Sequence, residues 1–201
     1  HPTYRPLTDE EIRQIHEAAL QVLSNTGLRC TYEAARSIFE EAGADVDDER
    51  VRLGESVVQD ALEACPSELR LCGRDAEHDL HIGGTGVHMG TGGAALDVVD
   101  PETGEVRRGR LDDVANLALL VDNLDHIEFY LRPTEPGDIP DHITDVNKYY
   151  AGLASATKHV MAGLTSLDAL DDVVRMGRII AGGEDAFADN PVLSFITCVI
   201  K

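Results

Sequence analysis

Apolar residues fall at Ile12, Ile15, Ala19, Leu20 and Leu23, the three-and-four spacing of one helical face. Thr8 with Glu11 three positions later forms a capping box, so the pattern predicts a helix over residues 8–26 that stops at Gly27. A second helix follows, with Thr31 as its cap, Ala34, Ala35, Ile38 and Phe39 inside it and Gly43 at its end. Arg50–Leu53 reads as a short strand, Glu55–Ala64 as a helix closed by Pro66, and Glu68–Cys72 with Asp79–Ile82 as a hairpin.

The pattern then changes. Gly83, Gly84, Gly86, Gly90, Gly92 and Gly93 crowd a short stretch, and beyond it strands and helices alternate. Ala94–Val99 is expected as a strand, DPETG as a turn and Leu111–Leu124 as a helix. His126–Leu131 is expected as a strand, then Asp141–Thr157 as a helix carrying Ile143, Val146, Tyr150, Leu153 and Ala154. His159–Leu164 reads as a strand, Leu167–Ala181 as a helix capped by Ser166 and stopped at Gly182–Gly183, and Val192–Ile200 as an apolar strand. Strands separated by helices imply a parallel sheet. The fold class is therefore α/β, either an open doubly wound sheet or about four units of a (β/α)8 barrel. A small mixed lobe over residues 1–82 precedes sheet units over 83–201. The chain stops at Lys201 directly after a strand, so the expectation is the front part of a longer polypeptide.

Composition narrows the partners. Lys and Arg number 17 against 37 Asp and Glu, a net charge of -20 over 201 residues. Such a chain is a poor match for nucleic acid or an anionic membrane, both of which require basic residues to displace counterions. It suits a cationic ligand or a basic partner. No apolar run reaches the ~18 residues of a membrane span, and the polar start HPTYRPLTDEEI is not a signal peptide. The four cysteines, Cys30, Cys65, Cys72 and Cys198, have irregular spacing and no CxxC, which fits reduced thiols in a cytoplasmic protein.

The glycine run lacks the third glycine of a dinucleotide fingerprint, Met89 standing there, and it precedes a strand where phosphate binding needs a helix start. It reads instead as a close-approach loop or a linker, with Gly90, Gly92 and Gly93 shaping a cavity and His88 inside the loop. His78 and His81 read as hairpin residues, and no metal site is expected. In parallel α/β folds function collects at the C-terminal ends of strands. That rule selects Arg132 and the proline-stiffened loop with Asp138, then Thr165 and Ser166, as lining a substrate pocket. Arg132 and Asp138 are expected to share a polar network, and Arg132 to grip a substrate carboxylate. No catalytic residue is assigned.

The ordered segments IHEAALQVLSNTGLRCTYEAARSIFEEAGADVDDERVRLGESVVQDALEACP, DLHIGG, DVVDPETGEVRRGRLDDVANLALLVDNLDHIEF, PGDIP and SATKHVMAGLTS resemble the trimethylamine:corrinoid methyltransferase family, over essentially the whole chain. The resemblance implies a (β/α)8 barrel with a helical N-terminal lobe. It implies methyl transfer from a methylated or quaternary amine, trimethylamine or a betaine, to Co(I) of a cobalamin held by a separate corrinoid protein. No cofactor would be bound permanently, and exposed sheet edges point to a homo-oligomer. The alternatives are a non-catalytic binding or assembly protein derived from that family, and an unrelated barrel lyase or isomerase. Phe129, Tyr130, Tyr149, Tyr150 and Phe195 are candidates for an aromatic cage around a cation.

Overall fold

The computed structural model describes residues 4–197, and contacts divide the chain into two compact units at the Pro66–Ser67 junction. In the first, α1 (Asp9–Gln21) starts from the Thr8–Glu11 capping box. Thr8 N–H donates to Glu11 Oε2 at 2.8 Å, and Glu11 N–H to Thr8 Oγ1 at 3.2 Å. The helix widens into a π-helical turn, Val22–Thr26, and ends at Gly27 with φ of 66°. A side chain at Gly27 would strike the Val51 carbonyl, so glycine is required twice over. β1 (Leu28–Arg29), α2 (Glu33–Glu41), β2 (Asp45–Asp47), β3 (Arg50–Arg52) and α3 (Glu55–Ala64) follow. The three strands form an antiparallel sheet in the order β1-β3-β2, with Val51 wholly buried at its centre. β2 escapes the sequence pattern because Asp45 and Asp47 flank a single apolar residue. The cap of α2 is Tyr32, whose side chain makes no capping bond, and not Thr31. No residue of α1, α2 or α3 is buried. The apolar faces of α2 and α3, with Leu23 of the π-helical turn, line an open cavity of about 630 Å³ with Ile38, Phe39, Val57 and Leu62 among its walls.

The second unit opens with an antiparallel hairpin, β4 (Glu68–Leu71) and β5 (Leu80–Gly83). The hairpin belongs with this unit because Arg70 donates to Asn190 Oδ1 at 2.7 Å and the Arg74 N–H to the Thr157 carbonyl at 2.6 Å. Another hairpin, β6 (Asp97–Val99) and β7 (Val106–Arg108), leads to α4 (Leu111–Asp122). Then come β8 (Tyr130–Leu131), α5 (Asp141–Ser155), β9 (Val160–Ala162), α6 (Leu170–Ala181), α7 (Glu184–Asp189) and β10 (Leu193–Phe195). β8, β9 and β10 are parallel and adjacent in chain order, each separated from the next by helix.

Alternation along these strands sends Tyr130, Val160, Ala162 and Leu193 to the helix side. There they pack with Val114, Ala118 and Val121 of α4, Tyr149 and Leu153 of α5 and Val173 of α6. Burying each large apolar side chain contributes roughly 1.5–3 kcal/mol. The two core tyrosines also bond: Tyr130 Oη donates to the Val114 carbonyl at 2.8 Å, and Tyr149 Oη to that of Ala162 at 2.6 Å. Gly152 brings α5 close, since a Cβ there would lie 3.1 Å from Val160 Cγ1 and 3.3 Å from the Tyr130 ring.

Three sequence expectations need correction. Ala94–Val99 is not the first parallel strand. Gly90 and Ala95 form parallel bridges with Phe129 and Thr134, so the glycine-rich segment itself runs beside β8, while Asp97–Val99 turns back into the hairpin. The helix over 141–157 exists, but Ile143 and Tyr150 are exposed, and its inner face is Thr144, Asp145, Lys148, Tyr149 and Gly152. A buried ion pair there shares the inner face with Tyr149 and with Leu153, the expected stripe residue that is buried. Of Val192–Ile200, only Leu193–Phe195 is strand; Cys198 to Ile200 lie outside the described residues. α7, too short for a clear period, is additional.

Candidate functional site

Buried charge gathers where the strands end. Arg132 follows β8 and continues its helix-side face; Asp145 and Lys148 stand one turn apart on α5. Lys148 Nζ lies 2.5 Å from Asp145 Oδ1, with side chains only 2% and 5% exposed. Asp145 also accepts the Thr165 N–H (2.7 Å), the Thr165 hydroxyl (3.0 Å) and the Ser166 N–H (3.0 Å). Burial, the largest influence, pushes its carboxyl up. The Lys148 hydrogen bond and the two backbone donors outweigh that and hold it below the ordinary carboxylate range. Glu135 Oε1 stands 4.0 Å from Lys148 Nζ, and its other oxygen pairs with Arg132 Nη1. Nη1 also donates to the Thr134 carbonyl at 2.9 Å. Arg132 Nε is the one buried side-chain polar atom without a partner among the described residues.

Among the described residues no helix packs on the opposite face of the sheet. Phe129, Leu131, Met161 and Ser194 lie on it half-buried, and Ile196 is 47% exposed. Along its edge runs the glycine segment. A Cβ on Gly90 would collide with the Phe129 ring, whereas one on Gly92 would meet only Leu131, at 3.8 Å, and one on Gly93 nothing within 4 Å. Thr91 replaces ladder bonds there: its hydroxyl donates to the Leu131 carbonyl (2.7 Å) and accepts the Leu131 N–H (3.1 Å). Below the strands His159 is buried, its Nδ1 2.9 Å from the Cys72 carbonyl and its Nε2 2.8 Å from Ser194 Oγ.

Of the residues the sequence selects, Thr165, Ser166 and Arg132 come together, through Asp145, Lys148 and Glu135. Asp138 does not join them. Its carboxylate accepts the Leu111 N–H at 2.9 Å and caps α4, so the expected Arg132–Asp138 network is absent. His88 lies at the other end of the strands, with Nδ1 3.1 Å from Glu128 Oε1 and Nε2 3.1 Å from the His81 carbonyl. Of the aromatic candidates, Tyr130 and Tyr149 are core, Tyr149 meets Phe195 edge-on at 5.5 Å, Phe129 packs over Gly90, and Tyr150 is exposed. The sequence reading missed Asp145, Lys148, His159 and Ser194. An Asp and a Lys three apart within a helix were the available signal, though such pairs mostly face solvent.

Among the described residues no group of three or more His, Cys, Asp or Glu could hold a metal ion, and no helix is long and apolar enough to cross a membrane.

Comparison with known proteins covers nearly all of the chain. A family model described as trimethylamine methyltransferase (MTTB) matches residues 1–200. Trimethylamine methyltransferase MttB of Desulfitobacterium hafniense (strain DSM 10664 / DCB-2) is 34% identical over 95% of this chain and 39% of its own length. Glycine betaine methyltransferase of D. hafniense (strain Y51) is 28% identical over 96% of this chain and 40% of its own. Trimethylamine methyltransferase MttB of Methanosarcina thermophila is 28% identical over 95% and 41%. The chain thus spans about 40% of the length of these curated relatives.

Proposed function

The chain belongs to the trimethylamine methyltransferase family, and on that premise we propose that the whole protein moves a methyl group from a methylated or quaternary amine, trimethylamine or a betaine, to a corrinoid carried by a separate protein. The family match over residues 1–200 carries this reading. Relatives named for trimethylamine and for glycine betaine support the donor class. Successive parallel strands β8, β9 and β10, with residues 90–95 beside them, support a (β/α)8 barrel whose first half is residues 83–201, preceded by the β4–β5 hairpin and the unit that ends at Pro66. The compartment proposed is the cytoplasm.

In the reaction the N–CH3 bond breaks with its electrons leaving on nitrogen, so a quaternary donor, or a tertiary one protonated at nitrogen, departs as a neutral amine. The partner's corrinoid supplies the reduced cobalt that accepts the methyl group. This chain's part is to bind and orient the donor, because an in-line displacement depends on position. Gly92 and Gly93 add no side chain beside β8 and so leave room for a cavity there. Thr165 and Ser166, clasped by Asp145, keep the rim after β9 in one shape. Arg132 acts through Glu135 on the same rim. Its Nη1 is already engaged, which leaves only the Nε edge for a carboxylate. His88 and Asp138 hold the glycine segment and α4 in place.

The test is the full-length protein with cob(I)alamin and a panel of methylated amines, followed by the loss of Co(I) absorbance. Demethylation of at least one donor is expected. No turnover with any of them, in a preparation that binds its corrinoid protein, overturns the reading.

A further inference from the structure

Lys148 is a buried charge whose place helix packing does not explain. An apolar side chain of the same length would serve the inner face of α5 at least as well, since buried ion pairs are often replaced by hydrophobic residues without loss of stability. Its ammonium stands instead between two carboxylates that belong to different parts of the rim. Asp145 Oδ1 lies 2.5 Å away and Glu135 Oε1 4.0 Å away. No other cation among the described residues pairs with both.

Each carboxylate holds a different strand end. Asp145 takes the Thr165 and Ser166 N–H groups in the loop after β9. Glu135 lies in the loop after β8. Its own N–H donates to the Ala95 carbonyl at 2.9 Å, and the Ala95 N–H donates to the Pro133 carbonyl at 3.0 Å. Three neighbouring strand ends are thus joined in a row: Ala95 to Glu135 by backbone, Glu135 to Asp145 through Lys148, and Asp145 to Thr165 and Ser166. The middle link is unequal. Asp145 is in hydrogen-bond contact with the ammonium, whereas Glu135 is beyond that range and is held by charge, which acts strongly where water is excluded. Arg132 on the other oxygen of Glu135 completes two cations against two anions, so the cluster has no net charge for a ligand to neutralise. In parallel α/β folds these strand ends are where sites are built.

We propose that Lys148 is a positioning residue. It fixes the loop after β8 against the loop after β9, so that groups on both loops keep one geometry during methyl transfer, and it touches neither donor nor corrinoid. Its effect on turnover rests on the methyltransferase reading; the link between the loops stands or falls by itself.

Two readouts on the full-length protein separate the link from the reaction. In the first, Glu135→Gln removes the charge on the β8 side alone, and amide exchange is followed on the β9 side. The Thr165 and Ser166 amides should exchange at least about twofold faster, the low end for residues coupled in one network, although neither touches Glu135. The amides of α4 should keep their rates. Unchanged exchange at residues 165 and 166, or a rise that α4 shares, overturns the inference. In the second, Lys148→Met should lower kcat on the order of 10- to 100-fold with the KM for the donor nearly unchanged. Adding Asp145→Asn to Lys148→Met leaves Arg132 and Glu135 as a balanced pair and should restore the melting temperature without restoring kcat. If Lys148→Met does not fold, this double variant carries the comparison. A kcat that returns together with the melting temperature shows a structural role only and overturns the inference. A wild type that transfers from no methylated amine overturns the reading beneath it, and the exchange readout still decides the link.

Discussion

Asp145 is a buried charge with partners on two elements. It ties α5 to the loop after β9 and neutralises the buried Lys148. Asp145→Asn keeps the volume but leaves that ammonium without its nearest counter-charge, which should destabilise by about 3 kcal/mol in urea unfolding. The carboxyl titrates lower in the folded state than in the unfolded chain, so its stabilisation is full above the ordinary carboxylate range near ~4. It is lost as pH falls through the lowered folded value. Wild type should therefore lose stability in acid more steeply than Asp145→Asn. His159 has the same sign for another reason: burial lowers its folded value, so the unfolded chain takes up the proton first. Stability should decline as pH drops below about 6.5, and His159→Gln should flatten that decline in melting curves taken between pH 7 and 5.

At the scale of elements, close approach of the glycine segment to β8 depends on Gly90. Gly90→Ala drives a methyl into the Phe129 ring and should cost about 1–3 kcal/mol, with partial recovery when Phe129→Leu is added. The β6–β7 hairpin is held otherwise. Arg107 forks onto Asp113 at 2.7 and 2.9 Å and reaches Asp100 at 2.9 Å, which holds the Asp100 carboxyl at about 2. Arg107→Ala should raise that value toward the ordinary range and speed amide exchange across residues 97–108, while α5 keeps its protection. α5 also shows why a helix can be legible when its orientation is not. Its apolar residues mark the helix, but the inward face is chosen by Lys148 and Asp145 pairing beneath Tyr149. Hydrophobic periodicity has no term for a charge that is buried because it is paired.

For the molecule as a whole, a net charge of -20 means that self-repulsion opposes the compact state. Raising ionic strength from about 0.01 to 0.15 M shortens the Debye length from ~30 to ~8 Å. The melting temperature should rise with salt, and a fall would show that surface ion pairs such as Arg13–Glu10 outweigh the repulsion. Most of the helices and the family were readable in the chain, the helices because caps, glycine stops and apolar runs are local signals, the family because its segments recur in order. The capping box at Thr8 and the stop at Gly182 stand where the residues place them. What only the tertiary structure decided is which groups meet across distance. A glycine-rich stretch aligns beside β8 because its missing side chains admit Phe129. Asp138 caps α4 because the loop folds back upon that helix. Ser194 donates to His159 because a carbonyl at Cys72, far off in sequence, holds the ring proton on Nδ1. Each depends on pairing between distant residues, and a linear pattern records what a residue is without recording what will stand opposite it.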